Sequence, residues 1–153
     1  MPRLDISLAS VEVVAGSTPA LRVVRHAPER ATDWYEVVAA AAEPCLLVDS
    51  DGLIGAVSAA FLRLFGFSAA EDVLGRGLLD DLVDFVDFSA GPSRLETAEL
   101  ERIPPLQSLR SGGLARGLLR VRVGGKVRTV DAVTTPVRVD GQVSGSLTFF
   151  AAV

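Results

Sequence analysis

Hydrophobic positions along the 153-residue chain change rhythm several times, and each change marks a boundary. In residues 1–30, Leu4, Ile6 and Leu8 alternate with polar neighbours, and Val11 and Val13 continue one residue out of phase. After AGSTPA, Leu21, Val23 and Val24 form a second short run. This arm reads either as a flexible lead-in or as a strand pair that packs on a partner subunit. From Trp34 the spacing becomes helical: Trp34, Val37, Val38 and Ala41 share one face, and Asp33 with Glu36 has the form of a capping box. Pro44 closes that helix.

Residues 45–65 then alternate between strand and helix patterns. PCLLVDS reads as a strand, Asp51-Gly52 as a tight turn, and LIGAVS as the returning strand. Ser58 is placed to cap a helix whose Phe61, Leu62, Leu64 and Phe65 face inward, and Gly66 stops it. Ser68 and Glu71 repeat the capping spacing, with Phe67 as a hydrophobic staple. GRGLLDDLVDFVDF (75–88) predicts a further helix with Leu78, Leu79, Leu82, Val83, Phe85 and Val86 inward. SRLETAELER predicts another, capped by Ser93 with Glu96 and closed by Pro104-Pro105.

The last third is a meander of three strands, 114–123, 126–139 and 142–153, joined at Gly124-Gly125 and Asp140-Gly141. The order is two strands, several short helices, then three strands. That order defines an α+β class, with an arm over 1–30 and a domain over 31–153.

The stretches LLVDSDGLI (46–54), SAAFLRLFGFSAAEDVLGR (58–76) and the closing GSLTFFAAV resemble the PAS domain family. The family's Asp-x-Asp-Gly turn matches Asp49, Asp51 and Gly52, and its short-helix Phe, Leu and Gly match Phe61, Leu64 and Gly66. The aromatic-Ser-x-x-acidic-x-x-x-Gly pattern matches Phe67, Ser68, Glu71 and Gly75. Ser58 stands where the family often carries asparagine. The resemblance covers residues 34–153. It implies a five-stranded antiparallel sheet of order 2-1-5-4-3 with short helices over one face and an apolar pocket between. It also implies a sensory or interaction role, and rarely catalysis.

Composition narrows the chemistry. Net charge is -4 and the pI about 5.0, which lacks the basic footprint of a nucleic-acid binder. No apolar run reaches the roughly 20 residues of a membrane span, and no secretory leader pattern opens the chain. One cysteine, Cys45, excludes an internal disulfide, so a bacterial cytoplasmic protein is the expectation. The haem-binding relatives take a histidine from the helices over the pocket, whereas the sole histidine here, His26, lies in the arm. Photoreactive relatives carry Gly-Arg-Asn-Cys; GRGLLDDL keeps Gly75 and Arg76 but has no cysteine. Haem and covalent flavin are therefore disfavoured, while a non-covalent flavin or a small apolar ligand fits the same pocket. One histidine and one cysteine make no usual transition-metal set. Asp80, Asp81, Asp84 and Asp87 lack the glycine and terminal glutamate of a calcium loop and read as the wet face of a helix. The glycines at 112–113 precede a strand, so they form no phosphate loop.

What remains is apolar. Leu47, Ile54, Phe61, Leu64, Phe65, Leu74, Leu82, Phe85, Val130, Leu147 and Phe149 are the candidates to line the pocket, or to fill it. Arg116, Arg120, Arg122 and Arg128 fall on paired strands and are expected on the outer sheet face. Trp34, Val37, Val38 and Ala41 are the candidate interface. The chain ends directly after its last strand with no kinase, cyclase or DNA-binding segment, so it is expected either to act in trans on another polypeptide or to be a fragment of a longer chain. The expected function is a non-enzymatic regulatory module that homodimerises and contacts an unidentified signalling protein. The alternative is a small-ligand sensor; a small enzyme using Asp49 or Asp131 is a remote third.

Overall fold

The turns predicted from sequence set the frame. A computed structural model describes residues 9–14, 20–25 and 31–153, with side chains from residue 34 onward. His26 and the Leu4, Ile6, Leu8 run lie outside the described residues. Within the arm, β1 (Ala9–Val14) and β2 (Ala20–Arg25) pair antiparallel as a sheet of their own.

Helix α1 spans Ala31–Ala39, so it begins before Asp33 and ends well short of Pro44. Strands β3 (Cys45–Asp49) and β4 (Ile54–Val57) form the expected hairpin. Its turn is held by the Asp49 carboxylate, which accepts from the Asp51 and Leu53 amides at 2.9 and 3.0 Å, while Gly52 takes φ 80°. Helix α2 (Ala59–Phe65) starts at Ser58, whose hydroxyl oxygen accepts from the Phe61 amide at 3.1 Å, and stops at Gly66 in the left-handed region. The Ser58 hydroxyl also accepts from the Cys45 amide and donates to the Glu43 carbonyl, which ties the helix start to the start of β3.

Three expectations between residues 68 and 105 are corrected. The next capped turn, a single 3₁₀ turn Ala70–Asp72, is capped one residue later than read: the Asp72 carboxylate accepts from the Ala69 amide, and Ser68 is not the cap. Residues 75–88 are not a helix. They form turns and then the short strand β5 (Asp84–Val86), which pairs with the meander. Asp80 bonds the Gly77 amide at 2.9 Å, and Asp81 takes a positive φ of 58°, which no helix admits. Helix α3 is only Thr97–Leu100, with the box shifted three residues: Glu99 accepts from the Glu96 amide. Pro104 and Pro105 open a further helix, α4 (Pro104–Ser111), and do not close the previous one. Proline suits the first turn, where its missing N–H costs nothing.

Strands β6 (Ala115–Val123), β7 (Lys126–Val139) and β8 (Gln142–Ala152) make the meander. Both turns, Gly124-Gly125 and Asp140-Gly141, have positive φ at each central residue, as a type I′ hairpin requires. Sheet order is β4-β3-β8-β7-β6-β5. This is the expected 2-1-5-4-3 order with β5 added at one edge.

Period-two alternation gives the sheet two faces with different cover. The helix-facing side carries Leu46, Val48, Leu119, Val121, Val130, Ala132 and Phe150 against α2, Phe85, Leu100 and Ile103. The opposite side carries Cys45, Leu47, Ala56, Val137 and Leu147 beneath Val38 of α1, with Trp34, Tyr35 and Ala41 packed around them. α1 thus covers only the β3–β4 end of that outer face.

Candidate functional site

The space between helices and sheet, where a ligand would sit, is occupied by aromatic rings. Phe61 lies with its ring centroid 4.5 Å from Phe65 and 5.8 Å from Phe150, and Phe65 meets Phe150 edge-on at 5.0 Å. Phe67 stacks on Phe61 at 6.3 Å. Such offset and edge-to-face pairs stabilise beyond the burial of their area. The sequence places three of these rings within seven residues of α2 and its exit, so one helix turn delivers most of the cluster.

At the other end of the same space α4 sits directly on the sheet. Pro104 lies over Gly117 of β6, where an added Cβ would stand 3.4 Å from the proline ring, in ordinary contact. The Ser146 hydroxyl donates to the Pro105 carbonyl at 2.8 Å, and the Ser108 hydroxyl donates to the Gly113 carbonyl at 2.6 Å. Thr134 and Thr148 complete a buried polar strip beneath the helix. Each buried hydroxyl has a partner, as a low-polarity interior demands.

The predicted pocket set divides. Ile54, Phe61, Phe65, Phe85 and Val130 converge in the helix-facing core, with Leu64 and Leu82 packed at its margin. Leu47 and Leu147 lie on the opposite face under α1. Leu74 and Phe149 are 42% and 44% exposed and line no interior space. For Leu47, Leu147 and Phe149 the physical reason is the strand period, which points neighbouring apolar residues on β3 and β8 to opposite sides; Leu74 lies in the turn after Ala70–Asp72.

The predicted interface set is also redistributed. Val38 is buried against its own sheet, and Trp34 and Ala41 pack beside it, so of that set only Val37 is exposed. The Trp34 indole N–H is buried without an acceptor among the described residues, beside a gap of about 10 Å³ lined by Asp49 and Ser144. Open apolar side chains lie instead on the meander, on either side of the Arg116–Asp131 pair. Leu118 and Phe149 are 53% and 44% exposed on the outer face, and Val133 is the cross-strand partner of Phe149.

The arginines of that face are engaged. Arg116 makes a two-point contact with Asp131, Nε at 3.1 Å and Nη2 at 2.6 Å, which lowers the Asp131 carboxyl below its ordinary value. Arg122 reaches Asp84 at 3.0 Å and the Pro92 carbonyl at 2.9 Å. Asp87 is lowered chiefly by its bonds to the Ser89 hydroxyl and amide. Arg128 corrects the expectation: it lies opposite the core residue Val121, so the two-residue period puts it on the helix-facing side near the Gly124-Gly125 turn, where it is exposed. Asp49 holds its turn and Asp131 its arginine, so neither sits in a pocket as a catalytic pair. Cys45 is buried, which pushes its thiol up from the ordinary value. Among the described residues no three acidic, histidine or cysteine side chains converge as a metal site. No helix among them is long and apolar enough to cross a membrane.

Comparison with known proteins agrees with this architecture. The family model described as the PAS fold matches residues 32–151, and the chain belongs to the PAS family. No curated protein sequence matches it. Among solved structures, the PAS domain of Bordetella pertussis BvgS is 16% identical, covering 80% of this chain and 84% of that one, with a TM-score of 0.53. A light-oxygen-voltage domain studied with a flavin analogue is 19% identical, covering 79% and 84%, with a TM-score of 0.56. Vibrio cholerae VqmA, described as a dimer and a LuxR-type receptor, is 17% identical over 81% of this chain, with a TM-score of 0.58. The chain spans about half the VqmA chain, 52%. At these identities the likeness establishes the fold.

Proposed function

We propose that this PAS domain is a signalling module that works through protein contact, by self-association on the outer face of its meander, and not through chemistry of its own. The supporting observation is a contrast between its two sides. The interior is filled by Phe61, Phe65 and Phe150, whereas Phe149 on β8 and Leu118 on β6 are open on the outer face, on either side of the Arg116–Asp131 pair. Large apolar side chains left open on one sheet face favour a covering partner. A second copy offers the same face in self-complementary form, as a two-fold interface requires. The PAS family is broadly sensory and regulatory, which fits a module without an assembled catalytic pair.

The sensor reading draws on the likeness to the light-oxygen-voltage domain, whose structure concerns a flavin analogue. It requires Phe61, Phe65 and Phe150 to separate and make room for a ring system. Native mass spectrometry of the freshly purified protein discriminates. A dimer without added mass, reduced to monomer by Phe149→Glu, supports the contact module. A reproducible added mass that is lost on denaturation overturns it in favour of the sensor. A monomer at tens of micromolar overturns self-association.

A further inference from the structure

Strand β5 covers only part of β6. Across the Gly124-Gly125 turn Val123 faces Lys126, so the odd-numbered residues of β6 exchange both backbone bonds with β7. The even-numbered residues point their N–H and C=O the other way. Of these, Arg122 pairs with Asp84 and Arg120 with Val86 of β5. Arg116 and Leu118 come next, and among the described residues no strand, loop or side chain pairs with that stretch of edge.

The chain is turned off the edge by specific bonds. After Val86 the Asp87 carboxylate accepts from the Ser89 amide and hydroxyl. The Arg120 guanidinium donates to the Asp87 and Ser89 carbonyls, both at 3.0 Å. This leaves Phe88 61% exposed, with the Arg120 guanidinium 5.6 Å from its ring centre. Between the bend and the start of α4 runs a groove of about 210 Å³ along the open edge, with Ile103 and Leu119 among its apolar walls. Exposed strand edges are usually blunted by inward charge, proline or cover. Here Leu118 stands on the open edge between Arg116 and Arg120, with the apolar walls of the groove beside it.

The charge of the groove opposes that of the molecule. Arg102, Arg116 and Arg120 line it against one carboxylate, Glu99, on a chain of net charge -4. Arg116 is paired with Asp131, Arg120 donates to two carbonyls with the Asp87 carboxylate nearby, and Arg102 has no ion-pair partner among the described residues. An excess of positive charge therefore borders the open edge.

The geometry points to strand addition: the Arg116–Leu118 edge of β6 binds an extended acidic peptide segment of a partner protein. Backbone bonds to Arg116 and Leu118 supply the affinity, as in other edge-strand recognition. The two-residue period sets the preferred sequence. Side chains beside Arg116 and Arg120 are acidic, and the alternate ones are apolar and enter the groove against Ile103 and Leu119. The inference deepens the contact-module reading and rests on it, but it uses the sheet edge and not the sheet face.

The test uses the full chain labelled with ¹⁵N and three capped nine-residue peptides. One alternates glutamate with valine, one replaces each glutamate by lysine, and one is the acidic peptide N-methylated at alternate positions. Expected are saturable amide shifts centred on Arg116–Leu118 with the acidic peptide, and binding about tenfold weaker after N-methylation. Arg102→Glu weakens binding about fivefold. Leu118→Pro abolishes it, because that N–H faces the open edge and not the β7 ladder. If Leu118→Pro fails to fold, the N-methylated peptide and Arg102→Glu carry the test. No shifts at millimolar peptide, equal binding of the lysine peptide, or shifts centred on Phe149 and α1 overturn the inference. Concentration-dependent shifts of the Arg116–Leu118 amides without peptide that persist in Phe149→Glu overturn it too, since the edge then pairs with a second copy. Phe149→Glu separates the two readings: it abolishes self-association and leaves edge binding of the peptide in place.

Discussion

Thr134 and Thr148 face each other across β7 and β8 with their hydroxyl oxygens 2.7 Å apart, and both side chains are fully buried. One hydroxyl donates and the other accepts, so the pair satisfies itself beneath α4. Removing one member strands the other in an apolar interior. Thr148→Val should therefore destabilise the domain by about 1–3 kcal/mol. The double variant Thr134→Val, Thr148→Val should recover most of that loss, because no polar group then remains unpaired. Urea unfolding of the two single variants and the double variant measures this directly. Additive losses would show that the pair is not a unit.

Phe61 is 1% exposed and touches Phe65, Phe67 and Phe150. Phe61→Ala should cost about 3–5 kcal/mol, combining lost burial with the cavity left behind. The same substitution tests whether the filled interior is what denies a ligand access. An apolar cavity of phenyl size stays dry and accepts benzene-like molecules. Benzene or indole should raise the melting temperature of the variant and leave the wild type unchanged. An equal rise in both proteins would mean that the native interior already opens to ligands.

Turns and hairpins were legible because their chemistry is local. Asp49, Asp51 and Gly52 specify one turn, and Gly124-Gly125 and Asp140-Gly141 specify two more, whatever lies elsewhere in the chain. The 75–88 segment was misread because its leucines and aspartates recur at helical spacing while its structure depends on distant partners. Asp84 is held by Arg122 and Arg94, and Arg120 fixes the bend after Val86, so β5 exists only where β6 supplies a ladder. α4 was missed because two prolines read as a stop, although they are equally at home in a first helical turn. The candidate pocket was half legible. The α2 aromatics carry a helical face that fixes their direction, whereas Leu47, Leu147 and Phe149 sit on strands whose two faces are both apolar. Nothing in β3 or β8 says which face α1 covers. The open β6 edge gave no sequence signal, since it follows from where β5 stops.

Asp131 and Asp87 make acid stability titratable. Both carboxyls are lowered in the folded protein, Asp131 by Arg116 and Asp87 by Ser89. A depressed folded value means the charged form is favoured by folding. The stabilisation is thus fully present above the unfolded aspartate value of about 3.9 and is lost as pH falls through the folded values below it. Urea midpoints should be flat near neutrality and fall below about pH 4. Asp131→Asn should make the fall shallower, and it should narrow the gap further in 1 M salt, because the Arg116 pair is exposed and screened. An unchanged acid profile in that variant would assign the fall to other carboxyls.

Cys45 offers a reporter of motion at the proposed contact face. Its thiol lies under α1, with Sγ 3.6 Å from the Val38 carbonyl, and burial raises its pKa. Thiolate is the reactive form, so a covered thiol with a raised pKa reacts slowly at neutral pH. Val38→Ala loosens the same packing without touching the open side chains of the meander. Labelling by a thiol reagent should be slow in the wild type and faster by about an order of magnitude in Val38→Ala, through transient lifting of α1. Under conditions where the protein self-associates, α1 should be held down at the rim of the interface, and labelling should slow as protein concentration rises. A rate independent of both Val38 and protein concentration would place the opening elsewhere and detach α1 from signalling through this face.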